Sequence, residues 1–241
     1  LGTGTGILSI FAAKSGAKIV NAYEISVPMA KIAKKNVTDN ELQDIIKIIT
    51  DDVTKMRLNK TVYDVFIAEM ISVGLIEEQL VPAFNNVLKQ GLLKETALAI
   101  PCRQDTFVEL VDAEFEHFGV KMKTIQIEQT WQESKLRNKA SRPVLISSVD
   151  FNNAIRNNKA IESKVKKDIE FESLIDGTVN AIRITSDSIL TDNIVSGWTQ
   201  CMNSPAIIPI DSVQLVKGQK VKFNIRYEMG GEMSSLIIEK Y

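Results

Sequence analysis

Three glycines at alternate positions, Gly2, Gly4 and Gly6, are separated by Thr3 and Thr5 and run directly into an apolar-rich segment, residues 7–15. Without Cβ atoms such a loop turns sharply and brings its backbone close to a ligand. The spacing is G-x-G-x-G and not the G-x-G-x-x-G of a loop that holds a pyrophosphate. Acids follow at the ends of the next strand-like segments. Glu24, after residues 18–23, stands where a carboxylate can accept both hydroxyls of a ribose. Thr50-Asp51-Asp52-Val53 comes next. There Asp52 can accept from an adenine amine while Val53 packs on the ring, with Asp51 as a neighbour. Glu69 arrives directly from the apolar run Val65-Phe66-Ile67-Ala68. Each acid alone also reads as a helix cap or a solvated loop residue. In this order, each behind a strand, they point to an adenosine-bearing ligand.

These positions require an α/β unit. The periodicity predicts helices over residues 7–15, 27–36 and 76–88 and strands over 18–23, 45–49 and 62–68, an alternation that builds a parallel Rossmann-like sheet. A glycine loop of this kind follows a buried strand. The chain starts at Leu1, inside the motif, so that strand is expected ahead of it. After about residue 96 the texture changes to period-2 segments, at 107–111, 144–149, 178–184, 221–227 and 235–239. The turn pairs Asp176-Gly177, Lys217-Gly218 and Gly230-Gly231 mark it as antiparallel. The expected division is a cofactor domain over 1–98 and an antiparallel sandwich or β-barrel-like domain over 99–241, or else one large continuous sheet, with residues 121–142 as a connecting excursion.

The G-x-G-x-G loop resembles that of class I S-adenosylmethionine (SAM) methyltransferases, which wraps a ligand without phosphate. The run from Gly2 to Ala17 is very similar to the first motif of the protein arginine methyltransferases. Glu69-Met70-Ile71-Ser72-Val73-Gly74-Leu75-Ile76-Glu77-Glu78 resembles that family's double-glutamate loop. Ile100-Pro101 looks like its crossing into a β-barrel, and Ser196-Gly197-Trp198-Thr199-Gln200 like the barrel loop that reaches into its active site. The resemblance implies SAM held by Gly2, Thr3, Gly4, Gly6, Glu24, Asp52, Val53 and Glu69. It implies catalysis by Glu69 and Glu78, and Met70, Trp198 and Gln200 against the substrate. It further implies an arginine-bearing protein or peptide as substrate, a homodimer with an arm at 121–142, and a cytoplasmic or, in a eukaryote, nuclear location. Two carboxylates suit a guanidinium, which stays protonated and is a poor nucleophile until its donors are gripped and its charge localised. The chain departs from the family at Met70-Ile71-Ser72, where Trp-Met-Gly is usual, and at Gly197, where a histidine is usual.

Bulk properties narrow the field. Lysine plus arginine (29) nearly balances aspartate plus glutamate (30), so no global field favours nucleic acid or an anionic membrane. No apolar run reaches the roughly 18 residues a transmembrane helix needs. Cys102 and Cys201 lack metal-ligand spacing, and no metal is expected. His117 has no nucleophile or ligand at a readable spacing, and Lys164-Val165-Lys166-Lys167 reads as a solvated face. Two competing readings keep the cofactor: a methyltransferase acting on RNA or a small amine, and a SAM-binding interaction module without turnover.

Overall fold

The computed structural model describes residues 1–57, 61–128, 135–197 and 203–241. It divides into two compact units that are not cut at one chain position. The first comprises Leu1–Met70, Pro82–Ile100 and Asn153–Ala160; the second comprises Ile71–Val81, Pro101–Asn152 and Ile161–Tyr241. A single boundary at residue 98 therefore misses two excursions of the chain, residues 71–81 and 153–160.

The first unit alternates helix and strand: α1 (Ile7–Lys14), β1 (Val20–Glu24), α2 (Val27–Asp39), β2 (Ile46–Thr50), β3 (Tyr63–Ile67), α3 (Leu80–Lys89) and β4 (Leu93–Ile100). The small face of α2, Ala30, Ala33 and Val37, packs with Ile10 and Ala13 of α1 and with Ala22, Ile46 and Ile48 of the sheet. Ser26 caps α2 and a proline sits in its first turn, both sound start signals. On the other strand pair, Phe66 meets Phe84 edge-to-face at 5.3 Å.

The sheet of this unit is in two pieces. Strand β1 pairs with β2 and β3 with β4, both parallel. Among the described residues Leu1 and Thr3 lie between the two pairs: the Leu1 amine donates to Ile67 O, Glu69 N to Leu1 O and Thr3 N to Tyr23 O. Behind Leu1 a slot of about 580 Å³ opens, lined by Val20 and Ala22 of one piece, Val65 and Phe66 of the other, and Leu8 and Val87.

The second unit is antiparallel. Its strands are β5 (Arg103–Ala113), β6 (Glu116–His117), β7 (Val120–Lys121), β8 (Gln126–Ile127), β9 (Leu136–Lys139), β10 (Val144–Asp150), β11 (Lys164–Glu172), β12 (Gly177–Thr191), β13 (Ile194–Ser196), β14 (Ala206–Leu215), β15 (Lys220–Glu228) and β16 (Ile237–Lys240). A short α4 (Phe151–Arg156) follows β10. The main sheet runs β10-β5-β12-β14-β8, with β9 on β5 and β13 on β12, and a second sheet runs β11-β15-β16. This is an open path; among the described residues no ring of strands closes into the expected barrel. Within the excursion expected over 121–142, β8 and β9 are strands of the main sheet, and residues 129–134 lie outside the described residues. Strand β11 buries Val165, Ile169 and Phe171 and turns its lysines outward. No helix among the described residues is long and apolar enough to cross a membrane.

Candidate functional site

The glycine loop does what its spacing predicts. Gly2, Gly4 and Gly6 have φ of 64°, 53° and 90°, in the left-handed region where side chains are strained. A Cβ on Gly2 would stand 2.7 Å from Glu69 O and 2.8 Å from Met70 Cγ, so the loop lies directly against the end of β3. At Gly4 a Cβ would meet nothing within 4 Å, which makes its surroundings open to a ligand. Thr3 is turned inward, its hydroxyl 2.8 Å from that of Ser9.

Glu24, at the end of β1, is buried, and its two oxygens accept from Gly4 N and Ser26 N, each at 2.8 Å. A carboxylate has about four lone-pair positions, so capacity to accept hydroxyls remains on both oxygens. Asp52 follows β2. Its Oδ1 accepts from Thr54 N and Thr54 Oγ1, at 2.9 and 2.6 Å, and Lys55 stands 3.2 Å from Oδ2. The Thr54 hydroxyl is the main reason that its pKa falls below the usual carboxylate value. Asp52 is thus first a turn-forming residue. Val53 is buried, and Asn86 Nδ2 donates to its carbonyl at 2.7 Å, tying this loop to α3.

Glu69 follows β3 with its side chain exposed and its amide donating to Leu1 O at 3.2 Å. Met70, half-buried, touches the Gly2 position as described. Glu78 belongs to the second unit. It is exposed, and it does not lie on a helix: the predicted helix over 76–88 begins at Leu80, after a separate one-turn helix at Val73–Leu75. The cause is Ser72, whose Oγ accepts from Glu77 N at 3.1 Å and Glu78 N at 3.2 Å and so holds this stretch in an extra turn. Trp198 and Gln200 lie outside the described residues. Among the described residues, a Cβ added at Gly197, the place of the family's histidine, would meet Asp187 Oδ1 at 3.9 Å.

The sequence reading missed the residues that hold residues 71–81. Gln104, Thr106, Ser186 and Ser188 are buried polar groups on β5 and β12. Gln104 Nε2 donates to Ser72 O at 2.9 Å and Gly74 N donates to Ser186 Oγ at 2.9 Å. A serine where the family has glycine was the available signal. Among the described residues no group of three or more His, Cys, Asp or Glu side chains is placed to hold a metal ion.

Comparison with known proteins agrees with this geometry. Residues 1–139 match the family described as Ribosomal protein L11 methyltransferase (PrmA). The chain belongs to this methyltransferase family. An uncharacterised protein of Methanocaldococcus jannaschii is 31% identical over 236 residues, covering 98% of this chain and 83% of its own length. Protein arginine N-methyltransferase 7 of Xenopus laevis is 33% identical over 118 residues, which is 47% of this chain and 17% of that protein. Among solved structures, one described as the Trypanosoma brucei PRMT1 enzyme-prozyme heterotetrameric complex with AdoHcy matches with a TM-score of 0.72. It is 18% identical and covers 100% of this chain and 86% of its own, so it speaks to the fold. The chain is therefore an arginine methyltransferase-like class I methyltransferase. Its cofactor is SAM, for which the open space at Gly4 and the buried acceptor Glu24 are suited.

Proposed function

We propose that the chain methylates a guanidinium nitrogen of protein-bound arginine. The observation that carries this reading is Glu69, an exposed carboxylate at the end of β3 whose own amide is hydrogen bonded to Leu1, at the mouth of the glycine loop. In the bound state SAM supplies an activated methyl on a sulfonium. Gly2, Thr3, Gly4 and Gly6 turn the loop around the cofactor, and Glu24 accepts the ribose hydroxyls with the lone pairs its backbone partners leave. Asp52 offers Oδ2 to the adenine amine, and Val53 packs against the ring. Glu69 and Glu78, the two acids of one loop, hold the acceptor's N–H donors, keep one terminal nitrogen in line and draw positive charge to the other nitrogens. The methylated nitrogen then sheds a proton, for which no strongly tuned base is needed. By the family resemblance Met70, Trp198 and Gln200 are the residues assigned to the acceptor, and the second unit serves as the family's substrate domain.

A second reading has its own support. The matching family is described by its action on a ribosomal protein, and the third residue after Glu69 is Ser72 where arginine methyltransferases have glycine. An amine of a ribosomal protein is the acceptor on that reading. One experiment separates them: SAM-dependent transfer to an arginine-rich peptide, its lysine-substituted counterpart and isolated ribosomal proteins, with and without Glu69→Gln. Transfer to the arginine peptide alone, lost in the variant, supports the first reading. Transfer to lysine or amino termini overturns it.

A further inference from the structure

The loop that carries Glu78 is built unlike the rest of the molecule. Between Ile71 and Leu80 no regular ladder holds the backbone; turn bonds and buried side chains do. Ser72 is the pivot. Its carbonyl accepts from Gln104 Nε2 at 2.9 Å, and its hydroxyl accepts from two successive backbone amides, those of Glu77 and Glu78. Gln104 is itself fixed, since its side-chain oxygen accepts from Ser188 Oγ at 3.2 Å and its side chain is buried. Two residues on, Gly74 N donates to Ser186 Oγ, which lies 3.0 Å from Thr106 Oγ1. Asn203 Nδ2 closes the network on Ser186 O and Ser188 Oγ, at 2.7 and 3.3 Å.

The backbone between these anchors is strained and over-determined. Gly74 and Leu75 both have positive φ, 65° and 58°, and such a conformation at a buried leucine persists only where its surroundings enforce it. Gly230 N donates to Leu75 O, Glu232 N to Ile76 O, and Gln79 Nε2 to Gly230 O. Every residue from Ser72 to Gln79 is thus tied by a hydrogen bond of its backbone or side chain. The Glu78 carboxylate at the end of this run reaches solvent without a partner among the described residues. A short segment this heavily anchored, ending in an unengaged carboxylate, aims that carboxylate.

We propose that Ser72 and Gln104 are positioning residues that set the direction of the Glu78 carboxylate toward the methyl acceptor. The inference rests on the reading that Glu78 grips the acceptor. The Ser72 hydroxyl takes the two amides that would otherwise begin a helix one turn early, and Gln104 pins the carbonyl of the same residue, so the peptide planes before Glu78 cannot rotate. The groups are neutral, so the restraint is insensitive to pH and salt.

The test uses the complete protein with arginine-peptide methylation, SAM-binding calorimetry and amide hydrogen exchange. Ser72→Ala is expected to lower kcat about tenfold, with KM and SAM affinity within about twofold, because a transition-state contact and not ground-state binding is misaligned. Ser72→Thr, which keeps the hydroxyl, is expected to restore most of the rate. In a Glu78→Gln background the further cost of Ser72→Ala is expected to shrink to about twofold or less, since the residue being aimed is already impaired. Amides of residues 76–79 are expected to exchange about tenfold faster in Ser72→Ala, with the rest of the second unit unchanged. If Glu78→Gln leaves the rate unchanged, or the unmodified protein methylates no arginine peptide, the underlying reading of Glu78 falls and the positioning role with it. If Glu78→Gln impairs the rate but Ser72→Ala does not, or the two losses multiply, only the positioning role falls. Unchanged exchange at residues 76–79 overturns it independently.

Discussion

The two loops that bear the proposed chemistry are held by opposite means. Leu1–Gly6 fits because atoms are missing: Gly2 leaves room for Glu69 O and Met70, and Gly6 approaches Ala33. Residues 71–81 fit because atoms are present, in the amide and hydroxyl side chains of Ser72, Gln104 and Ser186. A sterically made loop is broken by adding a methyl group, and a hydrogen-bonded one by removing an oxygen or nitrogen. The units differ in their sheets as well: parallel strand pairs in the first, antiparallel sheets in the second.

The largest effect is expected where removal leaves charge stranded. In the second unit Arg183 reaches Glu109 at 2.7 Å and also pairs with Glu128, all three largely buried, and Glu109 Oε2 has no partner. Arg183→Met should cost about 3–5 kcal/mol in chemical denaturation, because the buried Glu109 carboxylate loses its buried partner and keeps the half-exposed Lys139, 3.3 Å from Oε1. A smaller cost would mean that water reaches this cluster. Next comes the addition in the first unit. Gly2→Ala places a Cβ against backbone at a positive φ and is expected to cost about 2–4 kcal/mol and to abolish SAM binding, read by thermal melting and calorimetry. Retained affinity would show that the loop shifts freely.

Third is a removal expected to do no harm. The Tyr227 hydroxyl is buried without a well-formed hydrogen bond, and burial pushes its pKa up to about 12. Tyr227→Phe should leave stability within about 1 kcal/mol of the original, on the stabilising side, since only a desolvated hydroxyl is lost. A clear destabilisation would place that hydroxyl in the network around Gly74. The smallest effect concerns Asp52, whose folded pKa lies below the ordinary value. Its contribution to stability is present above the unfolded carboxyl's pKa and fades as pH falls through the folded one. Thr54→Val removes the largest cause, so an NMR titration of Asp52 should move upward toward the ordinary value with little change in melting at neutral pH.

The same contrast explains what could be read in the sequence. The glycine loop, Glu24 and Glu69 were legible because sterics and strand ends leave local marks: alternate glycines, and an acid directly after an apolar run. Strands at 18–23, 45–49 and 62–68 fall within one or two residues of β1, β2 and β3 for the same reason. The start of α3 was misplaced because the restraint on Glu77 and Glu78 comes from Ser72 and, through it, from Gln104, more than thirty residues from Ser72. Strand β12 runs 15 residues, twice the length expected, because partners β5 and β14 flank it and satisfy its backbone where alternation alone would end it. Strand β14 went unread: Pro209 and a register shift against β12 interrupt its alternation. The period-2 texture allowed a sandwich or a barrel and the resemblance selected the barrel, whereas the strand pairing among the described residues follows an open path.

The outward lysines of β11 also give the second unit a proteolytic signature. Lys164, Lys166 and Lys167 are exposed, yet their backbone is paired with Glu228, Arg226 and Ile225 of β15, and a protease needs extended, unpaired backbone. Trypsin should therefore spare residues 164–172 in the folded chain, and cleavage there would report that β11 has left β15.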